Sequence, residues 1–251
     1  MKKSVKILSV VLALVIVLGC FAACGGDKGE TKTTLVMATN AAFPPYEYVE
    51  GGEFVGIDVE IANAIANKLG MELEIKDVDF GAIIGGVQSG KFDMGMAGMT
   101  VTEDRLKDVN FSDSYAKGVQ VVIVKDGGTI ASLDDVAGKK IGVQTNTTGD
   151  IYASGDFGEE NVVKYENGAL AVEALKSGKV DCVIIDNEPA KAYVAANEGL
   201  KILETEYVEE DYAICFAKEN TELQEKVNAA LKELIADGSV KNVVDKYIPS
   251  K

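Results

Sequence analysis

The segment from Ala97 to Arg105 combines residue types that could hold an anion. Its apolar residues end a predicted buried strand that runs from Phe92 to Met99, and a short helix is predicted to follow. Thr102 suits the helix N-cap, because its hydroxyl can accept a hydrogen bond from a free backbone N–H. Arg105 then falls in the first turn, where a cation opposes the helix dipole. A cation beside free backbone donors favours a negatively charged ligand group, and pairing with a nearby surface acid is the alternative.

The composition of the chain limits the kinds of catalytic site, metal site and partner that we expect. The 251 residues include no histidine, which removes the commonest general base and the commonest metal ligand. The formal charge is −15, and this argues against a nucleic acid partner, since phosphate binding needs a basic face. We therefore expect no catalytic residues, no metal and no cofactor.

The N-terminal residues carry an export pattern. Three lysines precede an apolar run over residues 7–19, which is too short to span a membrane comfortably. Small residues then stand before Cys24, as in the lipobox of bacterial lipoproteins, and favour it over Cys20 as the lipidated residue. The pattern predicts a signal peptide in residues 1–23 and a flexible tether in residues 24–33. A plain signal peptide and an uncleaved anchor are the alternatives.

Strand and helix patterns alternate from Thr34 onward, which predicts an α/β fold whose last helix covers Leu223–Asp237. One unit of this pattern occurs twice, with the strand of each unit followed by polar residues. The repeated motifs are Ser89-Gly90-Lys91-Phe92-Asp93 and Ser177-Gly178-Lys179-Val180-Asp181. Two comparable units predict two lobes, unless the likeness is chance. Ligands of open α/β sheets collect beyond the carboxyl ends of strands, where these polar residues are expected.

Six segments distributed over residues 34–248 together carry a family pattern. They are Ala38–Glu47, Gly56–Ala62, Ala97–Arg105, Phe111–Tyr115, Lys139–Val143 and Val180-Asp181. As a set they resemble the polar-amino-acid-binding family of extracellular solute-binding proteins, which serve ABC importers. The resemblance implies a periplasmic-binding-protein-like clamshell of two α/β lobes joined by a two-strand hinge. Residues 34–116 and 211–251 would form lobe 1, residues 117–210 would form lobe 2, and the chain would cross near Tyr115–Val119 and Val208–Tyr212.

The resemblance also implies a clamp for the backbone groups of an amino acid. Arg105 would pair with the α-carboxylate and Asp186 with the α-ammonium, since a charge taken into a closed cleft needs a partner. Neutral groups would complete the clamp, namely the Gly98 carbonyl and the donors Thr100, Thr147 and Thr148. Alternatively, the two neighbouring threonines and Asp186 could serve only as helix caps.

A second set of residues would contact the ligand side chain. Phe43 and Phe80 match aromatic walls that exclude water. Relatives that bind basic side chains often have an acid at the position of Asn40, and here the amide is neutral. Asn40, Gln144 and Glu188 would suit a neutral polar side chain such as glutamine. A basic ligand requires that Glu188 or another acid faces the cleft.

These features predict a monomeric, lipid-anchored receptor at the outer face of the cell membrane. It would capture a polar L-amino acid, with a neutral one such as glutamine slightly favoured, and deliver it to an ABC permease. One alternative is a dehydratase-type enzyme on the same fold, which would need an acid or base in the cleft. The other is a ligand-sensing module.

Overall fold

The computed structural model describes residues 33–204 and 207–249. The predicted signal peptide, the lipidation site Cys24 and all of the tether except Thr33 lie outside these ranges. Among the described residues, no helix is both long enough and apolar enough to cross a membrane.

Fourteen strands and eight α-helices occur in the described ranges. The strands are β1 Thr34–Thr39, β2 Ala42–Phe43, β3 Glu47–Glu50, β4 Glu53–Val55, β5 Glu72–Asp77, β6 Met94–Gly95, β7 Val109–Phe111, β8 Ala116–Lys125, β9 Ile141–Gln144, β10 Val162–Tyr165, β11 Cys182–Asp186, β12 Leu200–Ile202, β13 Val208–Tyr212 and β14 Cys215–Ala217. The helices are α1 Ile57–Leu69, α2 Phe80–Gln88, α3 Glu103–Asp108, α4 Thr148–Phe157, α5 Gly168–Lys176, α6 Asn187–Ala196, α7 Thr221–Ala236 and α8 Ser239–Tyr247. Short 3₁₀ turns cover Leu133–Val136 and Glu159–Asn161.

Eleven of the strands form two mixed sheets, which define two lobes, and β2, β3 and β4 form a small antiparallel sheet. The first sheet has the order β5-β1-β6-β14-β7, and the second has the order β10-β9-β11-β8-β12 with β13 also paired to β8. In each sheet the parallel pairs lie at one side and the antiparallel pairs at the other. Helices α1 and α2 link strands of the first lobe, and α4, α5 and α6 link strands of the second. The predicted α/β clamshell is confirmed.

The chain passes between the two sheets twice. It leaves the first sheet after β7, joins the second through β8, and returns from β13 to β14. Strands β8 and β13 pair antiparallel, with Ala116 opposite Tyr212. These crossings fall where the family resemblance places the hinge. The residue boundaries of the two lobes stay a prediction.

The repeated motif has the same structural role in each lobe. Its glycine ends a helix with a left-handed φ of 72° in the first lobe and 74° in the second. Its aspartate then accepts a hydrogen bond from one backbone N–H, in β1 for the first lobe and directly before β9 for the second. Asp93 Oδ2 lies 2.7 Å from the nitrogen of Val36, and Asp181 Oδ2 lies 2.8 Å from the nitrogen of Lys140. The likeness of the two sequences therefore reflects a shared way of starting a parallel strand.

Two elements differ from the sequence prediction. The strand predicted from Phe92 to Met99 is only Met94–Gly95 long, because the chain leaves the sheet there. Gly98 takes a φ of 52°, and its N–H donates to Asp58 Oδ2 over 2.9 Å instead of to a neighbouring strand. Helix Ser239–Tyr247 was not predicted. Helix α8 begins directly after the glycine that ends α7. The sequence pattern of this region therefore predicts a single helix followed by an irregular tail.

Candidate functional site

A cavity lies between the two lobes, with an empty volume of about 320 Å³ that includes its opening to solvent. Of the eleven residues expected to contact the ligand, all but Glu188 line it, together with Glu47 and Ala97, which were not predicted. The ten are Asn40, Phe43, Phe80, Gly98, Thr100, Arg105, Gln144, Thr147, Thr148 and Asp186. No group of three or more acidic or cysteine side chains in the described ranges is arranged to hold a metal ion. The lining combines apolar and aromatic side chains with a few charged and polar groups, as small-molecule sites commonly do.

Arg105 is a buried cation with neutral partners. Its side chain donates to the carbonyl oxygen of Thr100 over 2.8 Å and to that of Asn146 over 3.2 Å. The predicted N-cap is confirmed, since Thr102 Oγ1 accepts from the Arg105 backbone N–H at 3.2 Å. The guanidinium makes no ion pair with a described carboxylate, and the adjacent Asp104 pairs with Lys107 instead. A buried guanidinium in this state still has N–H donors and charge to offer an anion.

Asp186 is the buried anion on the opposite side of the cavity. It ends β11, is 7% exposed, and accepts a hydrogen bond from the hydroxyl of Tyr212. Its side chain makes no helix-cap hydrogen bond, so the capping alternative is wrong. Burial raises the pKa of this carboxyl to about 8, and the negative charge of Glu210 adds to the effect. A carboxylate that is costly to ionise is stabilised by a cation placed against it.

The two neighbouring threonines differ in what they can offer. Thr147 Oγ1 accepts from the Asp150 backbone N–H at 3.3 Å and donates to the Gln144 carbonyl at 2.8 Å. Its hydroxyl is therefore occupied as the N-cap of α4. Thr148 is buried, and its hydroxyl accepts from Gln120 Nε2 at 3.4 Å, which leaves its own proton free to donate. Of the pair, Thr148 is the better donor to a bound carboxylate.

The two aromatic residues face different neighbours. The ring of Phe43 stacks on that of Tyr46, with 5.8 Å between centroids, and is 8% exposed. Phe80 begins α2, and its ring centroid lies 5.2 Å from the guanidinium carbon of Arg105. One face of Phe80 thus holds the arginine in place by a cation–π contact. Phe43 is left as the more available apolar wall.

The polar side chains proposed for the ligand side chain are not all at the cavity. Gln144 Nε2 donates to Asn40 Oδ1 over 2.9 Å, and Asn40 in turn donates to the Val78 carbonyl over 2.9 Å. Glu188 does not line the cavity, and it forms an ion pair with Lys191 at 2.5 Å. The expectation that Glu188 contacts the ligand is therefore not supported by its position on α6, because it points to a lysine one turn along the helix.

Comparison with known proteins identifies the chain. Residues 35–250 match the family model described as bacterial extracellular solute-binding proteins, family 3. The chain belongs to this family. The arginine-binding extracellular protein ArtP of Bacillus subtilis (strain 168) is 35% identical over 229 residues, which cover 89% of this chain and 88% of that protein.

Solved structures of an ancestral arginine-binding protein have the same fold as this solute-binding protein. The form bound to arginine is 43% identical, with a TM-score of 0.81, and the match covers 86% of this chain and 98% of that chain. The form bound to glutamine is 42% identical, with a TM-score of 0.81, and the match covers 87% of this chain and 99% of that chain. One binding protein of this fold has thus been found with a basic and with a neutral polar ligand.

Hydrogen bonds close the two lobes of this solute-binding protein over the cavity. The donors and acceptors are Arg105 Nη2 to the Asn146 carbonyl at 3.2 Å, Gln144 Nε2 to Asn40 Oδ1 at 2.9 Å, and Tyr193 Oη to the Ala42 carbonyl at 2.6 Å. The first two involve cavity residues, whereas Tyr193 lies outside the lining. Tyr193 can therefore favour closure without contacting a ligand.

Replacing Tyr193 by phenylalanine is expected to weaken ligand binding roughly 3-fold to 10-fold, the effect of one lost hydrogen bond. The ring stays in place, and only the bond to the Ala42 carbonyl is removed. Titration calorimetry measures the affinity, and small-angle scattering measures how far the lobes separate without ligand. Tyr165→Phe is the control, since no hydrogen bond of its hydroxyl to another described residue is recorded. Equal affinities in all three proteins would contradict the closing role.

Glu47 is the charged cavity residue that the sequence prediction missed. It begins β3, is 1% exposed, and lines the cavity beside Phe43 and Gly98. Its segment was part of the family pattern, but nothing in the sequence showed that its side chain faces inward. A glutamate buried to this extent without a cation partner is rare and needs an explanation.

Proposed function

We propose that this protein captures a polar L-α-amino acid between its lobes and delivers it to the permease of an ABC importer. The observation that carries the proposal is the pair of opposite charges at one cavity, Arg105 from the first lobe and Asp186 from the second. An amino acid zwitterion carries the complementary charges at a fixed short separation. Because each lobe supplies one of the partners, only the closed form can hold both ends of the zwitterion.

The remaining lining residues fit the rest of such a ligand. Thr100 and Thr148 would add donors to the α-carboxylate, and the Gly98 carbonyl would accept from the α-ammonium. Phe43 would cover the aliphatic part of the ligand side chain. The Asn40–Gln144 pair suits a neutral amide such as that of glutamine, whereas the buried acid Glu47 suits a cation.

The location and partners follow from the export pattern and the family. We propose removal of residues 1–23, lipidation of Cys24, and a tether over residues 24–33 that holds a monomeric receptor at the outer face of the cell membrane. Residues 34–116 with 211–251 would move as one lobe and residues 117–210 as the other. The proposed role is transport without catalysis or a cofactor.

A thermal-shift panel of the L-amino acids on residues 25–251 tests the proposal. At a thousandfold excess over Kd, the true ligand stabilises the protein by roughly 4 kcal/mol, which raises Tm by several degrees. The D-enantiomers and the decarboxylated amines are the controls, since they misplace or remove a group of the zwitterion. No shift with any L-amino acid would overturn the proposal. Chemical conversion of the ligand would indicate the enzyme alternative instead.

A further inference from the structure

An amino acid with a neutral side chain would not supply enough charged groups to pair with every ionisable residue of the cavity lining. Three lining residues carry ionisable groups, Glu47, Arg105 and Asp186. The zwitterion of an amino acid would use Arg105 and Asp186. Glu47 then remains without a partner of opposite charge.

Glu47 lies against a second buried carboxyl group. Asp58 is fully buried on α1, and its Oδ2 accepts from the Gly98 N–H at 2.9 Å and from the Tyr115 hydroxyl at 2.8 Å. Neither Oε2 of Glu47 nor Oδ1 of Asp58 receives a hydrogen bond from a donor group. The two carboxyl groups lie within hydrogen-bonding reach of each other.

Three other acidic side chains act on Glu47. The acids that act on it are Asp58 on α1, Asp186 from the second lobe, and Asp77 at the end of β5. Burial and these charges raise the pKa of Glu47 well above its usual range, and burial raises that of Asp58 to about 6. The tyrosines Tyr46, Tyr115 and Tyr193 also face this acid, and the pKa of each is raised. In the absence of a nearby cation, these effects favour the protonated form of Glu47 over the ionised form.

We propose that Glu47 binds the side-chain cation of the ligand, which makes the ligand a basic amino acid with a guanidinium or ammonium group. This rests on the proposed function, because Arg105 and Asp186 must hold the amino acid backbone. The ligand cation replaces the proton of Glu47, and that proton passes to solvent. A guanidinium suits the site well, since it offers several N–H donors to a carboxylate in the cavity lining.

The isosteric variant Glu47→Gln tests the inference with three ligands, L-arginine, L-lysine and L-glutamine. The variant keeps the shape and removes the charge, so we expect the affinity for arginine and lysine to fall roughly 30-fold or more. The affinity for glutamine is expected to change by no more than about 3-fold, since a neutral ligand gains nothing from the charge. Glu53→Gln is the matched control, because Glu53 is exposed on the next strand of the same hairpin. It should bind all three ligands as the wild type does.

Release of a proton on ligand binding is a second test of Glu47, because a merely structural role of this residue would not cause it. Calorimetry of the wild type in two buffers of different ionisation enthalpy should show release of about one more proton with arginine than with glutamine. The affinity for arginine should also rise more steeply with pH than that for glutamine, because the raised pKa of Glu47 makes its ionisation depend on pH. If Glu47→Gln does not fold, these wild-type measurements alone decide.

The outcomes separate this inference from the proposed function. Equal losses of arginine and glutamine affinity in Glu47→Gln, or equal proton release with both ligands, would overturn the role of Glu47. Wild-type binding of glutamine without binding of arginine would overturn it too, and would leave the amino-acid receptor standing. Failure of every amino acid to bind the wild type would overturn both.

Discussion

Alanine in place of Arg105 weakens binding of the amino acid by roughly 2–5 kcal/mol, the cost of leaving a buried carboxylate without its partner. The chain still folds in this expected result, because Arg105 bonds only to carbonyl oxygens and not to a described carboxylate. Titration calorimetry measures the loss, and circular dichroism checks the fold.

Two further variants make the Arg105 result specific. Arg105→Lys keeps the charge but loses the planar fork and the stacking on Phe80, so we expect an intermediate affinity. Lys107→Ala removes an exposed cation from the same helix and should bind normally. An Arg105→Ala protein with wild-type affinity would show that the carboxylate is held elsewhere.

Asparagine in place of Asp186 is expected to weaken binding by a similar amount, roughly 2–5 kcal/mol, while stabilising the ligand-free protein by about 2 kcal/mol. The folded-state pKa of Asp186 is raised to about 8, so the folded protein holds a proton that the unfolded chain loses near pH 4. Between these values the folded state binds more protons, and its free energy of unfolding falls as pH rises. The loss of stability that comes from ionising the buried Asp186 carboxyl is absent below about pH 4 and fully present above about pH 8.

Urea denaturation at about pH 5 and about pH 8 measures this difference. The wild type should lose more stability across the interval than Asp186→Asn, and Tm of the variant at the higher pH should exceed that of the wild type by roughly 4–8 °C. The negative charge of Glu210 is one cause of the raised pKa of Asp186, and Glu210 is present in both proteins. Parallel pH dependence in the two proteins would mean that Asp186 is not the group responsible.

Much of the fold and the site could be predicted from the sequence, because both depend on local patterns. The N-cap at Thr102 and the repeated Ser-Gly-Lys motif each follow from backbone rules that act over a few residues. The site residues follow strand ends, so their approximate position is given once the α/β order is known. The family resemblance then supplied the expected roles of Arg105 and Asp186 as partners of the α-carboxylate and the α-ammonium of one ligand.

The features that escaped prediction depend on contacts between distant segments. Strand β6 is short because Gly98 bonds to Asp58, which lies 40 residues away along the chain. Glu188 looked available because its pairing with Lys191 depends on side-chain direction on α6. Glu47 looked like any strand residue, since only the packed structure shows that Asp58 lies against it.

The hydrogen bonds that close the lobes have a kinetic consequence. A solute reaches the cavity only after the contacts of Arg105, Gln144 and Tyr193 with the opposite lobe have broken. The observed rate of ligand capture must therefore stop rising at high solute concentration and level off at the rate of lobe opening. The supply of nutrient to the importer would then be limited by this motion when solute is abundant, and by diffusion when it is scarce.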